Sequence, residues 1–295
     1  MRTSATFRCF KICLTALGLL SSARAGPIEC IKAGVEFVFV DLGTYTLTET
    51  LDVPSGVTIY CQPGAVFEAA PGAFKGIHDS LVRLKGSQNV SIFNCTFRMR
   101  KSEYVPPDYP DYSEWRHAIE LLGVTNVHLS SVRVEDAGGD GVYAGPMVTG
   151  MFTEDRQPCR QVTIERLTAS DNYRTGVAIT SCIDCKITDS VFENTKGTST
   201  QSGVDLEPDH GGDRLVNVVF ERCTARNNAG SAYTVQMIKQ NQNSKPVSVT
   251  FKDCSWSGVP VNHYGIRVME FGSNQSAVKP IGTVFWDLSR WSNPP

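Results

Sequence analysis

The chain has 295 residues and a nearly balanced formal charge of −2, from 28 basic and 30 acidic side chains. That balance argues against nucleic acid as the main partner, because phosphate binding takes clustered Lys and Arg. Ten cysteines make the cellular compartment the first question.

The N-terminus answers it. Arg2, Arg8 and Lys11 flank the start of a short apolar run, Ile12 to Leu20, and Ala23-Arg24-Ala25 suits cleavage before Gly26. Residues 1–25 therefore read as a signal peptide, and the protein is expected to be secreted and extracellular. The run is shorter than the roughly 20 residues a membrane span needs, and no later stretch is long and apolar enough, so no membrane span is expected. Without the leader, 24 basic residues face 30 acidic ones and the charge becomes −6. Eight cysteines remain, and an even count in an exported chain points to disulfides. Sequons at Asn89, Asn94 and Asn274 fit an exported glycoprotein.

Along residues 26–295 the main signal is a repeat. Val90-Ser91-Ile92, Val127-His128-Leu129, Val162-Thr163-Ile164, Cys185-Lys186-Ile187, Val218-Val219-Phe220 and Val249-Thr250-Phe251 share one continuation. Three residues after the second core position stand Cys95, Val132, Leu167, Ser190, Cys223 and Cys254. Two further on stand Phe97, Val134, Ala169, Phe192, Ala225 and Trp256. Period-two alternation means strands with one buried face. Strands this short, broken by Asn, Gly and Asp, cannot stand alone, but they can stack turn upon turn. The interval varies from 23 to 37 residues, so loops of unequal length are inserted, and solenoids place binding sites on such one-sided insertions.

A second strand belongs to each turn. His117-Ala118-Ile119-Glu120-Leu121 aligns with Asp140-Gly141-Val142-Tyr143-Ala144, with Thr175–Ile179, with Ser202–Leu206, with Gly230-Ser231-Ala232-Tyr233-Thr234 and with Tyr264–Val268. The third and fifth positions should point inward and the fourth outward. The expected fold is all-β: a single-domain, right-handed parallel β-helix, a solenoid. Column partners then predict a Cys159–Cys182 disulfide, since stacked Cα atoms about 4.8 Å apart lie within disulfide range. Cys30–Cys61 would tie down the first turn, Cys223–Cys254 is a disulfide or a stacked thiol pair, and Cys95 and Cys185 are left unassigned.

With Gly43-Thr44-Tyr45-Thr46-Leu47 followed by Val53–Ile59, nearly the whole mature chain resembles the pectate-lyase and polygalacturonase-like β-helix superfamily. The resemblance implies a carbohydrate-active protein whose partner is a polysaccharide or other glycan. The sequence lacks the adjacent Asp-Asp pair, the Gly-His-Gly and the Arg-x-Lys of polygalacturonases.

The outward fourth position reads Arg83, Glu120, Tyr143, Ala178, Asp205, Tyr233 and Arg267. Carboxylates, arginines and aromatics on one flank suit sugar hydroxyls and sugar faces. Asp140, Asp205, Glu207 and Arg174 are the catalytic candidates; Glu120, Tyr143, Tyr233, His210 and Arg267 are the substrate-binding candidates. Glycoside hydrolysis with inversion needs an acid and a base roughly 6.5–9.5 Å apart. Asp140 and Asp205 fall two turns apart, and Glu207 beside Asp205 would raise one carboxyl's pKa by like-charge repulsion. Hydrolysis requires no cofactor. A lyase or C5-epimerase acting on a uronic-acid polymer is the alternative. It would draw on Arg174, Tyr233, His210 or Lys239, with Ca²⁺ held by Asp205, Glu207 and Asp209. Asp205–His210 bears a faint likeness to the Asp-Pro-His-Asp run of mannuronan epimerases. A third reading is glycan binding without catalysis. The loops 101–115 and 146–158 are expected to wall the groove.

Overall fold

A computed structural model of the chain describes residues 26–105, 114–149, 155–240, 244 and 247–269, and the backbone of 282–286. The leader 1–25 and the sequon at Asn274 lie outside the described residues, as do parts of both loops expected to wall the groove. Three long parallel sheets run the length of the molecule. The first contains nine strands, among them Gln88–Phe93, Thr125–Ser130, Cys159–Glu165, Cys182–Thr188, Leu215–Glu221 and Val247–Lys252. The second contains eight short strands such as Thr96–Arg98 and Thr168–Ser170. The third contains eight, among them Ile119–Leu122, Val142–Gly145, Thr175–Ile179, Ser202–Leu206 and Tyr233–Gln236. Each turn of the right-handed β-helix contributes one strand to each sheet.

The register follows the apolar columns. Phe97, Val134, Ala169, Phe192, Ala225 and Trp256 are successive partners in the second sheet. Stacked rings extend the core at both ends: Phe67 on Phe97 at 5.4 Å and Phe220 on Phe251 at 5.3 Å between centroids. Corners are tight because residues at fixed places in each turn take the left-handed conformation. Asn94, Ser131, Arg166, Asp189, Arg222 and Asp253, all with φ between 51° and 60°, occupy the same corner in successive turns. Asn and Asp tolerate this region best, which explains the polar punctuation between strands. The short helix Pro27–Lys32 packs on Phe37–Val40 and Leu51–Asp52, burying Ile31 over the first turn.

A column of glycines brings the third sheet's turns close together. A Cβ on Gly141 would lie 2.6 Å from the Gly176 carbonyl oxygen. On Gly176 it would lie 2.6 Å from Gly203 O, and on Gly203 2.7 Å from Ala232 O. The fourth member of the column is therefore Ala232, not Ser231, and the expected alignment slips by one residue here. Val204 pairs with Tyr233 and Asp205 with Thr234. Tyr233 is consequently an inward residue with no exposed surface, and it is not a substrate-binding residue. An inward tyrosine is tolerated because its hydroxyl donates within 3.0 Å of the carbonyl oxygens of Cys223 and Ser255.

The cysteine pairings also differ from expectation. Cys61 is bonded to Cys95, with Cα atoms 5.1 Å apart, so Cys30–Cys61 does not form. Cys159 and Cys182 are register partners, but both are free, buried thiols. The cause is local. Left-handed Gln161 (φ 54°) and Asp184 (φ 58°) kink the two strands alike, but Cys185 stands where the neighbouring strand has Val162, and Cys182 and Cys185 hydrogen-bond each other. Cys159 instead points to the carbonyl oxygens of Gly145 (3.2 Å) and Leu121 (3.5 Å). Cys223 and Cys254 are stacked buried thiols.

Candidate functional site

Arg174 organises the flank. It sits at the corner entering Thr175–Ile179, and its guanidinium reaches four carboxylates contributed from three other turns. Nε lies 3.2 Å from Glu114 and Nη1 3.5 Å from Asp140. Nη2 lies 2.9 Å from Glu207 and 3.5 Å from Asp205. The three carboxylate candidates, Asp140, Asp205 and Glu207, thus meet at the fourth, Arg174, which is only 12% exposed. Burial works against its charge, but the carboxylates prevail and raise its pKa above the usual arginine value.

Asp140 lies in a buried polar column with His117, Thr175, Ser202 and Ser231. Its Oδ1 accepts from Thr175 Oγ1 at 2.6 Å, and its backbone N–H donates to His117 Nδ1 at 3.2 Å. The His117 ring stacks on Tyr143 at 4.7 Å with an angle of 7° between planes, and Tyr143 shares a 2.9 Å hydrogen bond with Thr180. Burial pushes the Asp140 carboxyl up, yet Arg174, His117 and Thr175 outweigh it and hold the pKa below the usual range. Asp205 goes the other way. It is equally buried, accepts from Gln236 Nε2 at 2.9 and 3.1 Å and from Thr200 Oγ1 at 3.3 Å, and its pKa rises to about 7. Burial is the main cause. Arg174 opposes it, and the charge of Glu207 adds to it.

Both carboxyls touch the same guanidinium, so their oxygens are at most roughly 9 Å apart, given two contacts of 3.5 Å and the width of the fork. Glu207 is divided between Arg174 and Lys239 Nζ (3.1 Å), and Lys239 also binds Asp209. Asp205, Glu207 and Asp209 do not converge as a calcium site. Glu207 and Asp209 already hold cationic side chains, and Asp205 is turned to Gln236. Among the described residues no three His, Cys, Asp or Glu side chains form a metal-sized group.

The other binding candidates lie further out. Glu120, one turn before Tyr143, accepts from Arg83 Nε at 2.6 Å. Arg267 occupies the same outward column two turns beyond Asp205, roughly 10 Å along the axis. His210 is exposed, on a loop braced by buried Asp213. That carboxylate accepts from the backbone N–H groups of Asp209 and His210 and takes Arg156 in a bidentate pair at 2.8 and 3.0 Å. Arg156 belongs to the hairpin Met147–Val148 with Arg156–Gln157, inside the loop expected to wall the groove. Three participants escaped the sequence reading. Gln236 was hidden by the one-residue slip at Tyr233; corrected, it falls directly after Glu207 in its column. Glu114 and Thr200 lie in loops outside the repeat, where no periodic signal marks them.

Comparison with known proteins agrees with this architecture. The family described as "Right handed beta helix region" matches residues 80–276. Two Bacillus subtilis proteins, the uncharacterized protein YclG and the SPbeta prophage-derived uncharacterized protein YorA, are 24% and 25% identical over 196 and 172 residues. These stretches are 60% and 53% of this chain, and the chain spans about a third of the length of those relatives (33% and 28%). Among solved structures, the N-terminal fragment of bacteriophage Phi29 gene product 12 superposes with a TM-score of 0.63 at 14% identity. It covers 82% of this chain and 40% of that one. The tailspike gp49 of Acinetobacter baumannii bacteriophage Fri1, a capsular polysaccharide depolymerase, gives 0.53 at 15% identity, covering 81% and 45%. The family match, spanning most of the chain, agrees with the three sheets and their register: this chain belongs to the right-handed β-helix family.

Proposed function

We propose that the protein is a secreted glycoside hydrolase that cleaves a polysaccharide with inversion. The observation that carries the reading is the opposite displacement of two carboxyls around Arg174: Asp205 tends to keep its proton to near neutrality, and Asp140 tends to stay ionised. Pairs pushed apart in this way divide into acid and base. Asp205 donates its proton to the glycosidic oxygen as the bond to the anomeric carbon breaks. Asp140 takes a proton from the water that attacks that carbon from the opposite face. Arg174 holds both in place and keeps Asp140 charged. The upper bound of roughly 9 Å leaves the pair compatible with the roughly 6.5–9.5 Å used by inverting enzymes. The depolymerase activity of the phage tailspike, and the likeness to polygalacturonases noted above, support a polysaccharide as substrate. The leader-like N-terminus and the exposed sequon at Asn89 support export.

A second reading, glycan binding without catalysis, is favoured by one observation: neither Asp140 nor Asp205 has exposed surface. On that reading the ionic cluster ties the turns together, and the sugar meets its more exposed members, Glu114, Asp209 and Lys239. Incubation with a polysaccharide panel separates the two. The hydrolase produces new reducing ends without the ultraviolet absorbance of an unsaturated product, and Asp205→Asn abolishes them. Retention of a polymer with no cleavage by the unaltered protein would establish the second reading instead.

A further inference from the structure

Residues 114–116, where the loop expected to wall the groove rejoins the third sheet, send three consecutive side chains to three tasks. Glu114 reaches the Arg174 guanidinium. Trp115 remains 45% exposed, although tryptophan is highly buried on average. Arg116 is completely buried. Its Nε donates to the carbonyl oxygens of Phe74 and Gly76, both at 3.1 Å, and its Nη2 donates to that of Lys75 at 2.8 Å. The fork is thus committed to the chain just ahead of His78. Arg83 holds the far side of the same stretch, donating to the His78 carbonyl oxygen at 2.9 Å. The exposed His78 ring stacks on Trp115, with centroids 5.0 Å apart and 29° between planes. His78 and Trp115 each stand four residues ahead of the paired residues Val82 and Ile119, so the two rings occupy the same place in successive turns. In the next turn that place is Gly138, four residues ahead of Val142, and the column of rings stops at Trp115. Strand stacking does not call for an exposed indole here, and taking a guanidinium out of water to brace its neighbour costs free energy. A braced aromatic ring offers a flat apolar surface to the C–H face of a pyranose, with little conformational freedom left to lose on binding.

We propose that Trp115, backed by His78, is a sugar-stacking platform that holds one pyranose unit of a glycan beside the Arg174 cluster. The inference rests on the reading that a polysaccharide lies along this flank, and it names a residue that binds the chain without moving a proton. The full chain carrying Asp205→Asn is measured by affinity electrophoresis in gels containing mixed-linkage β-glucan, xylan, galactomannan or polygalacturonate, so that binding is read without turnover. At least one of these polymers should retard the protein. Adding Trp115→Ala should weaken that binding about tenfold. Trp115→Leu, which keeps apolar bulk without the flat ring, should weaken it nearly as much, whereas Trp115→Phe should lose no more than about threefold. Urea midpoints establish that each variant is folded. Phe37→Ala removes a ring that is 52% exposed on the first sheet and should change nothing, which separates a site from general adsorption to apolar surface. Unchanged binding in the Ala and Leu variants, an equal loss from Phe37→Ala, or no retardation by any of the four polymers would each overturn the proposal. On a polymer that the unaltered protein cleaves, Trp115→Ala should raise KM more than it lowers kcat. The two readings fail separately. Cleavage with KM unmoved by the substitution would sink the platform and leave hydrolysis standing. Binding that depends on Trp115, to a polymer that is never cleaved, would do the reverse.

Discussion

Replacing Asp205 by Asn should make the protein relatively more stable as the pH rises, by an amount the structure fixes. In the folded state burial raises the carboxyl's pKa to about 7, whereas the unfolded chain ionises near the usual aspartate value of 3.8. A raised folded pKa stabilises fully below the unfolded value, and that stabilisation is lost as pH climbs towards the folded one. About three pKa units at roughly 1.36 kcal/mol each give a loss of about 4 kcal/mol. Asn keeps the shape of Asp, and its oxygen can still accept from Gln236, but it cannot ionise. Urea unfolding of both proteins, at steps between about pH 4 and pH 8, measures the difference directly. Titrations common to both chains, including that of Asp140, largely cancel in the subtraction. The wild type should lose about 4 kcal/mol relative to the variant across this window. A difference flat to within about 1 kcal/mol would mean that Asp205 ionises normally in the folded protein. The acid assignment would then fall with it.

Three further expectations follow from the same geometry. If Asp205 is the proton donor, kcat/KM on any cleaved polymer should decline as pH rises through about 7, and a profile still rising above that point would assign the proton to another group. Gly176→Ala places a methyl 2.6 Å from a backbone oxygen of the next turn and should destabilise by about 1–3 kcal/mol or more, read by urea midpoint. Gly212→Ala, with nothing within 4 Å, should stay within about 0.5 kcal/mol. Replacing Cys61 and Cys95 together by Ala opens a closed loop with a sequence separation of 34 residues and should lower stability by about 2–4 kcal/mol; an unchanged midpoint would mean the bond does not form in solution.

The solenoid was legible because its signal is periodic and redundant. Val127, Val162, Cys185 and Val218 each announce a strand, and the partners they imply are the ones observed. Legibility failed where a residue type conflicted with its place. Tyr233 looked like an outward aromatic because tyrosines are rarely fully buried, and only the carbonyls of Cys223 and Ser255 make its inward position acceptable. Cys182 looked like the partner of Cys159, yet its thiol is free and hydrogen-bonds that of Cys185. The ionic cluster was half visible. Column spacing brought Asp140, Arg174, Asp205 and Glu207 to one flank, but the depth of their burial and the contribution of Glu114 depend on loops that no repeat encodes. The sequence also predicted like-charge repulsion from Glu207 as the reason for a raised carboxyl pKa, whereas exclusion of water is the larger cause.

Strand pairing runs only between successive turns, so the molecule unravels from its ends like a zipper rather than melting everywhere at once. Arg174 and its four carboxylates sit in the middle of the stack, with further turns on either side. Fraying of the outermost turns can therefore come and go without disturbing the ionic cluster, and wear at the ends of the rod is kept apart from its middle.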